Sequence, residues 1–164
     1  MNPASSQQQY VLFTQGQSAF AIELKAVREV LRLAGQQITP VPNTLAFVLG
    51  LTNLRGEIIT VTDFGCFIGE EAVKIQDEQA RILVVELPHP QDVQLPRIRM
   101  GIAVAQVEGV QSLYPEQIVS HLEVGEALVP ILRGLYDHHH RLLMILESEA
   151  IAQKFLSNTQ PLKV

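Results

Sequence analysis

Apolar positions fall in short clusters of Val, Ile and Leu separated by Gly, Pro and Asn, a pattern that predicts strands rather than long helices. Residues 10–24, YVLFTQGQSAFAIEL, read as two short strands around a turn at Gly16. In KAVREVLRLAG, Val27, Val30 and Leu31 have helical spacing, which leaves one helical turn and a further strand both open. Pro40 and Pro42 make ITPVPNTLAFVLG an edge strand or connector. A hairpin follows, with strands near 50–54 and 57–62. The polar run 69–80 predicts a surface loop or short helix, RILVVEL (81–87) a strand, and the proline-broken 88–97 an exposed loop. Strand character returns over 99–113, and 134–146 reads as another hairpin. At the end, Ser148 is a candidate N-cap, with Ile151, Ala152, Phe155 and Leu156 along one helical face.

A weak internal repeat overlies these elements. FAIELKAVREV (20–30) aligns with MGIAVAQVEGV (100–110) at an offset of 80, placing Val27 on Val107 and Val30 on Val110. GLTNLRGEIITVTD (50–63) aligns with GLYDHHHRLLMILE (134–147) at an offset of 84. The physical reading is two similar small barrels, each with its own core, packed on each other. RLLMIL is apolar on both faces, as a strand covered on each side requires.

Composition narrows the function classes. Hydrophobic residues make up 47% of 164 positions, enough for a folded interior, and tryptophan is absent. Twelve Lys and Arg against 17 Asp and Glu give a net charge of −5, which argues against a dedicated nucleic-acid binder. The single cysteine, Cys66, cannot form an internal disulfide and reads as a small core or surface residue. MNPASSQQQ lacks the shape of a secretory signal, and no apolar run approaches the roughly 20 residues of a membrane helix. The expectation is a soluble cytoplasmic protein with a polar tail over 1–9.

Two motifs invite chemistry. In NLRG, Arg55 is either a solvated residue of a hairpin turn or a guanidinium presented to a partner. In DHHHR (137–141), His138 and His140 would share one face of an extended strand, two ligands where zinc usually takes three or four. A solvated hairpin tip is the reading preferred over a metal- or ligand-binding barrel. Nucleophile elbows, phosphate loops and dinucleotide fingerprints are absent from the sequence.

AFAIELKAVREVL, ITPVPNTLAFVLGLTNLRGEIITVTDF, RMGIAVAQVEGVQSL and LRGLYDHHHRLLMILESE together resemble the CheW-like family of bacterial chemotaxis coupling proteins, from about Tyr10 to Ala150. The resemblance implies a mainly β fold of two five-stranded barrel subdomains on a shared core over 10–150, with a C-terminal helix and tail over 151–164. It implies a non-catalytic adaptor, without cofactor or metal, that bridges the cytoplasmic tip of a chemoreceptor and the regulatory domain of a CheA-type histidine kinase. Contact with membranes would be indirect, through receptors. By position it nominates Val27, Glu29, Gly50, Asn53, Arg55 and Gly56 as the protein-binding set, and it favours an exposed Arg55. An apolar groove between the barrels would take the receptor tip. Departures from the family pattern are Thr60 in place of a common Pro, Phe64 in place of Leu, the histidine triplet and the 88–96 loop. The same fold also serves pilus-driven gliding and phototaxis.

Overall fold

The computed structural model describes residues 6–120 and 128–158. Among the described residues there are ten strands and two α-helices: β1 (Gln8–Gln15), β2 (Ser18–Glu23), β3 (Val27–Arg32), β4 (Val48–Leu54), β5 (Glu57–Asp63), α1 (Phe64–Phe67), β6 (Arg81–Leu87), β7 (Ile98–Val104), β8 (Gln106–Leu113), β9 (Leu132–His138), β10 (Arg141–Leu146) and α2 (Ser148–Asn158). The segment after β2 resolves its ambiguity by using both options, a 3-10 turn at Leu24–Ala26 and then β3. The polar run 69–80 is turns and loop.

The strands form two five-stranded sheets with the same plan. Sheet 1 has the order β8-β1-β2-β10-β9 and sheet 2 the order β3-β6-β7-β5-β4. β3 follows β2 in the chain but pairs with β6, and β8 follows β7 but pairs with β1. Each half therefore donates a strand to the other half's sheet.

The sequence repeat maps onto this plan at residue level. The one parallel pairing in each sheet keeps the same register, Phe20 opposite Met144 and Met100 opposite Thr60. Bulges recur at Arg28 and Glu108, and at Leu49 and Arg133. The expected five-stranded subdomains are present as sheets, and a single isolated bridge, not a closing ladder, links the two edges of each. Beyond β3, Thr39 exchanges backbone hydrogen bonds with Leu51 of β4 at 2.8 and 2.9 Å; beyond β8, Val119 does the same with Leu135 of β9, both at 2.8 Å.

Alternating side chains sort into three apolar clusters. Tyr10, Leu12, Leu143 and Ile145 point into sheet 1, while Ile59, Val61, Ile82 and Val84 fill sheet 2. Between the sheets lies the largest cluster, where Val11, Phe13 and Phe20 meet Leu83, Val85, Met100 and Ile102. Phe64 packs edge-on against both Phe13 and Phe20, with centroids 5.1 and 4.9 Å apart. In β10, Leu143 and Ile145 face one cluster and Met144 and Leu146 the other, as its two-sided apolar pattern predicts.

The equivalent residues Asp63 and Glu147 stand at the starts of α1 and α2. Asp63 is buried and accepts hydrogen bonds from Cys66 N–H (3.1 Å) and Val73 N–H (3.0 Å); burial pushes its pKa up against these bonds. At α2, Ile151 N–H donates to the Glu147 carbonyl, which makes Glu147 the N-cap. Ser148, expected in that role, is the first helical residue, and its Oγ has no hydrogen-bond partner. Ile151, Ala152 and Phe155 enter the central cluster, and Lys154 donates to the Phe67 carbonyl at 2.8 Å. α2 is thus part of the core.

Two glycines make the bridges possible. A Cβ on Gly50, at φ +148°, would lie 2.2 Å from the Thr39 carbonyl oxygen, and one on Gly134 would lie 2.7 Å from that of Val119. Gly50→Ala and Gly134→Ala should each cost about 2–4 kcal/mol in urea unfolding, because backbone has to move. Gly56→Ala meets open space and should cost only about 1 kcal/mol for its positive φ. Equal costs at the three positions would show that the bridges do not pin the sheet ends.

Candidate functional site

The β4–β5 hairpin turns through two residues with positive φ, Arg55 (51°) and Gly56 (88°), the primed turn that matches strand twist. Asn53 shapes this turn through its side chain: Oδ1 accepts from Gly56 N–H at 2.8 Å. The β9–β10 hairpin is built alike, with His139 and His140 at positive φ and Asp137 Oδ1 accepting from His140 N–H at 2.9 Å. His138 and His140 consequently do not share a strand face, because His140 is a turn residue. Among the described residues, no three His, Cys, Asp or Glu side chains are grouped to hold a metal.

Arg55 leaves its turn outward and meets Glu29 of β3. Nη1 donates to Oε2 at 2.7 Å and Nη2 to Oε1 at 3.0 Å, a two-point contact across the open side of sheet 2. The Arg55 side chain is 78% exposed and Glu29 24%. Arg55 holds the Glu29 carboxyl below its usual range. The guanidinium is thus paired yet solvent-facing, a state between the free turn residue and the buried ion. An exposed, solvent-screened pair contributes little to stability, so a competing carboxylate can displace it at little cost. Sheet 1 carries its own two-point pair at different positions, in which Arg141 donates to Glu108 at 2.6 and 2.7 Å.

Between these two pairs runs a shallow apolar groove. Val27 and Val30 of β3 form one wall and Val107 and Val110 of β8 the other, over Val11 and Leu24. Val30 and Val110 are exposed. The exchanged strands bring the four valines together, so the groove exists only because of the strand swap.

The six nominated residues therefore separate into groups. Glu29, Asn53, Arg55 and Gly56 form one exposed corner. Val27 lies next to it in the groove wall. Gly50 is buried beneath the Thr39 bridge and shapes the hairpin from below. The sequence reading did not identify Arg28, Glu57, Glu86 and Arg99, which extend the charged corner across sheet 2, or Val30, Val107 and Val110 as groove residues. The repeat paired Val27 with Val107 and Val30 with Val110, and that was the available signal. Near α1, burial and the Asp63 carboxylate push the Cys66 thiol up, which keeps it protonated at neutral pH.

Comparison with known proteins agrees with this architecture. The family model for the CheW-like domain matches residues 9–155. The chain is 30% identical over 145 residues to "Chemotaxis protein CheW" of Klebsiella aerogenes, covering 88% of this chain and 81% of the relative. It is 28% identical over 142 residues to "Protein PilI" of Pseudomonas aeruginosa, covering 86% and 73%. Among solved structures, the scaffolding protein TtCheW from Thermoanaerobacter tengcongensis superposes with a TM-score of 0.73 at 23% identity, over 87% of this chain and 90% of that one. With a family match over residues 9–155 and a duplicated β architecture, this chain belongs to the CheW-like family.

Proposed function

We propose that this chain is a non-catalytic cytoplasmic adaptor that couples chemoreceptors to a CheA-type histidine kinase in a taxis pathway. The observation that carries the reading is the exposed valine groove between β3 and β8, with a solvent-facing Arg–Glu pair on either flank. A groove of this kind suits the apolar face of a helix, whose side chains at i, i+3 and i+4 would lie along the valines. The receptor's helical tip is the occupant this reading assigns to it. The kinase regulatory domain, a β-module, would then meet an outer sheet face, where Ile58 and Leu142 stand exposed at equivalent positions. Signal would pass as a change in the relative placement of the two bound proteins. A second pathway, pilus-driven motility, is favoured by the similarity to Protein PilI; the same surfaces would serve it.

Calorimetry with the receptor-tip fragment and the kinase regulatory domain encoded beside this chain tests the reading. Binding to neither would overturn it. Val30→Asp, which places an unpaired charge in the groove, should weaken receptor-tip binding at least tenfold and leave kinase binding intact, because burying an uncompensated carboxylate opposes docking.

Arg55→Ala should leave the urea-unfolding midpoint nearly unchanged while weakening one of the two complexes in calorimetry. The same variant has a titration signature. Because the folded Glu29 pKa is depressed, the pair's contribution is present above the ordinary value of about 4.3 and is lost as pH falls through the lowered one. Without Arg55, the Glu29 carboxyl followed by NMR should titrate higher, close to the ordinary value. An unmoved midpoint would show that the pair does not persist in solution.

A further inference from the structure

The charged corner around Arg55 extends across the whole end of sheet 2. Glu86 of β6 accepts from Arg28 of β3 at 2.7 Å and from Arg99 of β7 at 3.1 Å, and Arg97 lies 3.5 Å from its other oxygen. Arg99 also binds Glu57 of β5, the strand that leaves the Arg55 turn. Four arginines and three glutamates thus meet at one rim, with Arg55–Glu29 as one link.

The two signs are not presented equally. The arginine side chains are between 40% and 78% exposed, whereas the carboxylates of Glu86 and Glu29 are recessed at 15% and 24%. Their arginine partners hold both carboxyls below the usual range, so they remain ionised and fix the guanidinium planes. Glu57 is the one outward-facing acid. What solvent meets is an array of oriented guanidinium groups on a chain whose net charge is −5.

The fold does not require this array. By the register of the duplicated sheets, the positions of Glu86, Arg97 and Arg99 correspond in sheet 1 to Thr14, Gln17 and Ala19. Sheet 1 forms with the same pairings without the three charges, and exposed ion pairs contribute little stability. A cluster that stability does not explain, with one sign turned outward, is suited to recognition.

We propose that the rim formed by Arg28, Arg55, Arg97 and Arg99 docks an Asp- and Glu-rich segment of a protein partner, beside the valine groove, whose edge Arg28 shares. Partner carboxylates take two-point contacts from guanidinium groups that Glu29 and Glu86 already orient, so little side-chain freedom is lost on binding. Glu57 opposes the partner and sets an upper limit on how acidic it can be. The inference goes beyond the coupling function and does not depend on which receptor or kinase binds.

A poly-L-glutamate peptide of about 20 residues is the probe, titrated by calorimetry and by backbone-amide NMR at roughly 50 mM and 200 mM salt. Expected are saturable binding, shifts confined to the ends of β3, β5, β6 and β7, and about tenfold weakening at the higher salt. Arg97→Gln with Arg99→Gln should weaken binding about fivefold or more, and Glu57→Gln should tighten it about threefold. The gain from Glu57→Gln cannot arise from misfolding. Absence of saturation, no gain in Glu57→Gln, or equally tight binding of poly-uridylate or of anionic phospholipid vesicles would overturn the proposal. Loss of receptor-tip or kinase binding with peptide binding retained would instead count against the coupling function alone.

Discussion

The exchange of β3 and β8 between the two halves is the constraint on which the other features depend. Standing alone, each five-stranded sheet would leave the central-cluster face of its inner strands open to water. Exchanging one strand each way commits both halves to a single interior. Val11, Phe13 and Phe20 from one half then find Leu83, Val85 and Met100 from the other. It also fixes where the groove lies, since the exchanged strands β3 and β8 each form an edge of a sheet and together line the groove. Val27, Val30, Val107 and Val110 could not converge if each strand stayed with its own half.

The duplication explains why the local irregularities come in pairs. A bulge turns a strand and increases its twist, which a small sheet needs in order to curl back on itself. Bulges at Arg28 and Glu108 bend the exchanged strands, and those at Leu49 and Arg133 bend the edges that the bridges close. Gly50 and Gly134 then admit the approaching backbone. These devices specify shape, and none needs a charged side chain.

The sequence revealed most of this in outline, for identifiable reasons. Periodicity of two and the turn residues placed the strands, and the apolar repeat matched β2 with β7 and β4–β5 with β9–β10, because burial on both faces leaves a two-sided apolar signature. The strand exchange was not legible: VREVLR has the same pattern whether it pairs within its own half or across. The Arg55–Glu29 contact was hidden for a similar reason. Both residues were nominated, but 26 positions separate them, and only the curl of sheet 2 brings the turn over β3. In the primed turn Asn53 acts through its side-chain oxygen while Arg55 itself takes the left-handed conformation, a division of roles that the motif NLRG does not announce. Ser148 was credited with a cap that the strand-to-helix junction gives to Glu147, the residue equivalent to Asp63.

The contrast between the two sheet ends separates what the fold needs from what recognition uses. Thr14, Gln17 and Ala19 satisfy the same backbone positions that carry Glu86, Arg97 and Arg99 in sheet 2. Apolar residues at the strand interiors are matched between the halves, since packing density tolerates little variation there. Rim residues are free to diverge, because exposed pairs contribute near zero to stability and their replacement leaves the core untouched. Divergence between internally duplicated halves therefore picks out residues that the fold itself does not demand. The groove valines agree between the halves because both exchanged strands supply them, whereas Glu86, Arg97 and Arg99 have no charged equivalent in sheet 1 and folding alone gives no reason for them.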